Sequence, residues 1–236
     1  MFVFYNGTIH TMDPANPSPE AVVIGEDGRI LEIGRFSELQ TLPYGVKHVD
    51  LAGRTLIPGF NDAHVHLWKL GLLLTVQVDA RSAAAPDIPA IVARFRERAA
   101  RLPADTWLTG RGYNEADLPE GRHLTRADLD AASSEHPIAL TRTCGHMIVA
   151  NSRALTLAGI TRETPDPPGG VIVRDAQGEP TGLLQETAMG LLTRAMPETD
   201  DETFAHAIRA AIFHQLRLGI TSATDPLLTP NLVRIY

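Results

Sequence analysis

His64 and His66 lie two positions apart in the stretch IPGFNDAHVHLW, at the end of an apolar run that follows Pro58-Gly59. Side chains alternate along a strand, so on a strand both imidazoles share one face, and Asp62 joins them. About 7 Å apart at a rise of ~3.3 Å per residue, two neutral imidazoles can converge on one cation. Zinc and other first-row metals accept such nitrogen donors. A lone H-x-H pair is a weak signal, because surface and core histidines also produce it. The apolar strand before it and the acid beside it strengthen the metal reading.

Other residues with chemical potential carry two readings each. Asp225 ends the segment ITSATD, where it could face inward or serve as a turn residue before Pro226. Cys144 is expected to be a buried, inert thiol. His206 and His214 sit on one side of a helical segment and are expected at the surface. Arg94, Arg96, Arg98 and Arg101 form a solvated basic stretch. Trp68 and Tyr113 follow strand-end motifs and could wall a pocket or pack in the core.

The elements that must position these groups are legible in the periodicity. The first fifty residues alternate in short runs broken at Asn6-Gly7 and Asp27-Gly28, favoured turn pairs that imply a small β unit over residues 1–54. Downstream, Ile88, Ile91, Val92, Phe95, Ala99 and Leu102 form a helical stripe, with Asp87 placed to cap it and Pro89 in its first turn. Thr125 and Asp128 have capping-box spacing. Phe204, Ile208, Ala211, Ile212 and Leu216 mark a long helix stopped by Gly219. A hairpin is expected to turn at Gln177-Gly178. Strands alternating with helices predict an α/β fold with a parallel sheet over residues 55–236, with an excursion around residues 160–185. No closing helix is read in the terminal NLVRIY.

Composition sets outer limits. The net charge of −7 argues against nucleic acid as the main partner, because phosphate binding needs concentrated Lys and Arg. A single cysteine rules out an internal disulfide and fits a reducing compartment. No signal peptide and no membrane span is readable, so a cytoplasmic location is expected.

The segment LIPGFNDAHVHL, preceded by DLAGRT, resembles the entrance strand of the amidohydrolase superfamily. The blocks YNGTIHTMDPANPSPEAVVIGEDGRILEIG, PIALTRTCGHMIVANSRALTLAGI, PPGGVIVRDAQGEPTGLLQETA and LGITSATD resemble, in order, those of its family-3 branch, which includes N-substituted formamide deformylase. The resemblance implies part of a metal-dependent-hydrolase (β/α)8 TIM barrel joined to an N-terminal β-sandwich portion. It implies that His64 and His66 are metal ligands, for one or two divalent ions, zinc first. It matches Glu186, in GLLQETA, to a further metal ligand, though a glutamate favoured at a helix N-terminus is the plain alternative. His146 and Asn151 match a pocket-lining segment, against the alternative of a buried histidine satisfied by backbone. Asp62 would orient the imidazoles from behind.

The chemistry so implied is hydrolysis of a non-peptide C–N bond in a small amide, formamide or cyclic amide, by metal-activated water. At 236 residues the chain is shorter than the ~250 of a full barrel alone. The family's two later strand histidines and its proton-shuttling aspartate are not found, so no catalytic residue is assigned and that aspartate is expected beyond residue 236. The expectation is therefore an N-terminal part that is inactive alone and lacks the other half of its barrel. The alternative is a non-catalytic barrel module that binds a partner chain or small ligand; either form allows a homo-oligomer.

Overall fold

The short runs at the N-terminus fold as strands wherever their turn residues permit. In a computed structural model describing residues 1–39 and 45–236, these are β1 (Phe2–Tyr5), β2 (Thr8–Ile9), β3 (Ala21–Ile24), β4 (Ile30–Gly34), β5 (Lys47–Asp50), β6 (Thr55–Leu56) and β7 (Phe60–Asp62). Gly28 takes φ +78° in the β3–β4 turn, as the Asp27-Gly28 signal requires. Four strands form a sheet in the order β4-β3-β1-β5, with β1 and β5 parallel. Alternation along it sends Val3, Ala21 and Val23 to one small core with Leu39, and Val22 to another with Ile9 and Leu51. Ile30 and Leu31 remain 64% and 57% exposed. Strand β7 pairs in parallel with residues Ile220–Ala223. Gly59, just before β7, is needed for this pairing: a β-carbon there would lie 2.1 Å from Thr221 Oγ1. These elements make one of two compact units, Met1–Ala63 with Leu216–Thr224.

The second unit, His64–Gln215 with Asp225–Tyr236, is built on a six-stranded sheet. Its elements begin with α1 (Leu67–Thr75), β8 (Val78–Asp79), α2 (Ile88–Ala99), β9 (Leu108–Tyr113), α3 (Arg126–Asp130), β10 (Ile138–Arg142) and β11 (Met147–Ala150). They continue with α4 (Ser152–Leu157), β12 (Gly170–Arg174), β13 (Pro180–Glu186), α5 (Met189–Thr193) and α6 (Asp201–Arg217). The sheet order is β12-β13-β11-β10-β9-β8. Ile138 and Leu140 face a core shared with Ile88, Ile91 and Phe95 of α2, while Ala139 faces a second core with Ala154, Leu155 and Leu192. Both faces are therefore covered, as a central strand with a continuous apolar run requires.

The expected capping chemistry is present. The Asp87 side chain accepts from Ala90 N–H at 2.7 Å, and Thr125 with Asp128 makes a reciprocal capping box at the start of α3. Two expectations need correction. Only β8, β9 and β10 are mutually parallel; β10-β11-β13-β12 are antiparallel, so the sheet is mixed. The loop between β10 and β11 is too short for a crossover and turns at Gly145, φ +80°, sending the chain straight back. The terminal segment, read without a helix, folds beyond β14 (Ile220–Ala223) as α7 (Pro230–Ile235). Thr229 caps it by accepting from Leu232 N–H, with Pro230 in its first turn.

Candidate functional site

The histidine pair does not lie on the strand. β7 ends at Asp62, the chain bends at Ala63–His64, and His66 is the N-cap residue of α1 with φ −103° and ψ 88°. The shared strand face expected for Asp62, His64 and His66 is therefore corrected. The reason is the immediate start of α1, whose first amides need partners outside the helix. One is found in Asp225: Leu67 N–H donates to its Oδ2 at 3.0 Å. The two rings nevertheless sit side by side, with centroids 5.4 Å apart and planes at 74°.

His66 Nδ1 lies 3.0 Å from Asp225 Oδ1. A carboxylate in that position holds the proton on Nδ1 and leaves the Nε2 lone pair for another partner. The Asp225 side chain is only 5% exposed, and it also accepts from Tyr236 Oη at 2.7 Å and from Leu227 N–H at 3.4 Å. Burial opposes its charge, but the hydrogen bonds from His66, Tyr236, Leu227 and Leu67 outweigh that and keep its pKa low. Burial and the neighbouring carboxylate push the Tyr236 phenol up. Of the two sequence readings of Asp225, the inward-facing one thus has a specific partner in His66. Tyr236 was not legible in advance, since nothing in NLVRIY marks it.

Glu186 ends β13 with its backbone in the left-handed region, φ 52°, an uncommon conformation for a residue with a side chain. Its Oε2 meets His146 Nδ1 at 3.1 Å, and both side chains are largely exposed. Among the described residues no group of three or more His, Cys, Asp or Glu side chains is placed to hold a metal ion. The structure therefore does not gather His64, His66 and Glu186 into one donor set. A closed zinc site takes four ligands and a catalytic one three from protein, so the donors present fit two positions and no more.

Asn151, expected to line a pocket, is fully buried and spends its whole hydrogen-bonding capacity inside the fold. Its Oδ1 accepts from Ile138 N–H and Ala154 N–H, and its Nδ2 donates to the carbonyls of Ser133 and His136. It caps α4 and ties that helix to β10. Cys144, expected to be buried, is exposed. Trp68 packs edge-on against Phe204 of α6 with centroids 5.9 Å apart, and Tyr113 is fully buried. His206 and His214 are exposed, as expected for an outer helix.

At the end of β10, Arg142 grips Glu115 through two hydrogen bonds, Nε to Oε2 at 2.6 Å and Nη2 to Oε1 at 2.8 Å. The grip holds the Glu115 carboxyl at about 2, well below its ordinary 4.5. A carboxylate lowered on folding contributes stability that is complete above its ordinary pKa and is lost as pH falls towards the folded value. Glu115→Gln should therefore be less stable than the parent at neutral pH, with the difference shrinking between about pH 4.5 and 2. Denaturant midpoints across that range check this; a pH-independent difference would contradict it.

A family model described as the amidohydrolase family matches residues 47–231 of this chain. YtcJ of Bacillus subtilis strain 168, a protein named as an amidohydrolase, is 39% identical over 222 residues, covering 93% of this chain and 41% of that protein. N-substituted formamide deformylase of Arthrobacter pascens is 30% identical over 236 residues, covering 98% of this chain and 43% of that protein. Among solved structures, uncharacterized metal-dependent hydrolases from Pyrococcus horikoshii OT3 and Pyrococcus furiosus superpose with TM-scores of 0.69 and 0.68, each at 26% identity. Each match covers 99% of this chain but only 44% and 46% of those chains. The chain spans less than half the length of each of these four proteins.

Proposed function

Because this chain belongs to the amidohydrolase family, we propose that it is part of a metal-dependent hydrolase acting on a non-peptide C–N bond of a small amide, formamide or cyclic amide. In this reading residues 1–54 contribute to a β-sandwich and residues 55–236 to the first part of a (β/α)8 barrel, with residues 160–185 as an excursion. The exposed Ile30, which lines an apolar hollow with Phe4, Val22, Ile24 and Ile33, supports the first assignment, since an apolar sheet face packs against a second layer.

The single observation that carries the proposal is the His64–His66 ring pair with the buried Asp225 carboxylate behind His66. These two imidazoles would hold a divalent ion, zinc first, from one side. When bound, such an ion makes water a nucleophile near neutral pH and polarises a carbonyl. Asp225 fixes the ring and tautomer of His66, and Tyr236 and the Leu67 and Leu227 amides hold Asp225 ionised and in place. The remaining donors and the proton-shuttling aspartate of such an enzyme are assigned to the portion of the relatives outside the match. His146, which meets Glu186, is retained as a candidate pocket residue.

Zinc uptake by the 236-residue chain after equilibrium dialysis tests this. We expect weak but saturable binding that falls by roughly tenfold or more in His64→Ala, His66→Ala and Asp225→Asn. Equal uptake by the parent and all three variants would end the metal assignment. Hydrolysis of N-substituted formamides by this chain alone is expected to be slow. Robust zinc-dependent turnover by it would overturn the assignment of further donors elsewhere.

A further inference from the structure

A break in the ladder re-aims the residue that ends β10. Thr141 pairs with Arg111 of β9, but Arg142 pairs with Tyr113, so Gly112 is passed over. An irregularity of this kind turns the side chains beside it, and Gly112 takes it up with φ +107°. Arg142 thereby reaches the loop that follows β9. Besides its two bonds to Glu115, it donates through Nη2 to Asn114 Oδ1 at 2.8 Å. Asn114 is itself tied down, its Nδ2 donating to Asp117 Oδ2 at 3.1 Å. Arg142, Glu115 and Asn114 are all half-buried. A bidentate guanidinium–carboxylate pair sheltered in this way has a fixed geometry.

Four positions on stands His146, and the short turn between them is tied to the clamp. Thr143 N–H donates to the Tyr113 carbonyl at 2.9 Å, and Gly145 N–H to the Arg142 carbonyl at 3.0 Å. The Cys144 sulfur accepts from the Arg142 guanidinium and, at 3.4 Å, from His146 N–H. On its other side, the His146 carbonyl accepts from Glu186 N–H at 2.9 Å, and its Nδ1 meets Glu186 Oε2 at 3.1 Å. That last contact is largely exposed. An exposed imidazole–carboxylate pair keeps itself in one geometry only weakly. The firm end of this chain of contacts is Arg142, and the soft end is the ring.

We propose that Arg142 is a positioning residue: clamped on Glu115 and Asn114, it sets the Thr143–Gly145 turn so that His146 is held with Nδ1 on Glu186 and Nε2 as its free nitrogen. A carboxylate on Nδ1 fixes the proton there and leaves the Nε2 lone pair for another partner. That His146 belongs to a substrate pocket rests on the hydrolase reading above; its dependence on Arg142 does not. Arg142 acts through His146 and carries no step of the reaction.

The test uses the 236-residue chain with its nine histidines labelled at the ring nitrogens. Spectra are taken at about pH 8.5, roughly two units above the ordinary imidazole pKa, where the nitrogen shifts show which ring atom carries the proton. The His146 signals, identified by their loss in His146→Gln, should show a protonated Nδ1 and a bare Nε2 in the parent. Arg142→Gln should lose this signature and show the ordinary mixture of tautomers. Arg142→Lys, which keeps the charge but not the fork, should retain it in part. Asp87→Ala, destabilised by the lost cap of α2, should keep the parent signals, which separates positioning from stability. A parent ring in the ordinary mixture, parent-like signals in Arg142→Gln, or the same loss in Asp87→Ala would each overturn the proposal. If Arg142→Gln does not fold, Glu115→Gln, which loosens the same clamp, decides by the same signals. Zinc uptake is read separately on these samples. A His146 signature that depends on Arg142 in a chain that takes up no zinc refutes the hydrolase reading alone. Zinc uptake lost in His64→Ala, with a His146 signature indifferent to Arg142, refutes the positioning role alone.

Discussion

Gly71→Ala should strongly destabilise the protein, although the same change in an exposed helix interior would stabilise it by roughly 0.8–1.0 kcal/mol. Gly71 lies in the middle of α1, where the backbone of α6 comes against it. A β-carbon at Gly71 would stand 2.0 Å from the Ala207 carbonyl oxygen, 2.2 Å from its carbonyl carbon and 2.9 Å from its Cα. These are backbone atoms, so no rotamer change relieves the clash and the two helices must separate. Forced overpacking of this kind costs on the order of 3 kcal/mol, which outweighs the helix-propensity gain. Because α1 begins directly after His66, the shift should also disturb the Leu67–Asp225 and His66–Asp225 contacts and weaken zinc uptake. Urea midpoints of the parent and Gly71→Ala check the first effect; a variant as stable as the parent would contradict the close approach of the helices.

Asn151→Leu should be at least as damaging. The side chain keeps its branched outline, with bulkier methyl groups, but loses all four hydrogen bonds, stranding the N–H groups of Ile138 and Ala154 and the carbonyls of Ser133 and His136. Each buried group left without a partner costs roughly 1–3 kcal/mol, so the total is about 4 kcal/mol or more. Asn151→Asp separates hydrogen bonding from shape. It keeps the acceptor but turns a carboxylate towards two carbonyl oxygens without a donor between them. Its pKa should rise, so the deficit relative to the parent should be largest at neutral pH and smaller in acid, where a protonated carboxyl can donate one bond. A parent-like midpoint for Asn151→Leu would show that the network contributes little.

Local rules carried the sequence reading as far as local chemistry reaches. Asp87, Thr125 and Gly28 were legible because a cap or a left-handed turn depends on residues within a few positions. The apolar stripe of α2 was legible because a helix repeats its contacts every turn. The same limits explain the misses. Asn151 bonds to Ser133, His136 and Ile138, a set of partners that no spacing rule in its own segment announces.

The sequence by itself determined that His64 and His66 would be near one another, because two residues two apart cannot stray far, and it carried the family likeness in ordered blocks. It also determined the element types wherever caps and apolar periods agreed. Only the tertiary structure decided that the histidines flank a helix start rather than ride a strand. It alone decided that Asp225, 159 positions from His66, stands behind that ring, and that Asn151 is spent on holding the fold. Such pairings arise from non-local packing, in which a side chain's role is set by whichever distant group the folded chain brings within hydrogen-bonding reach.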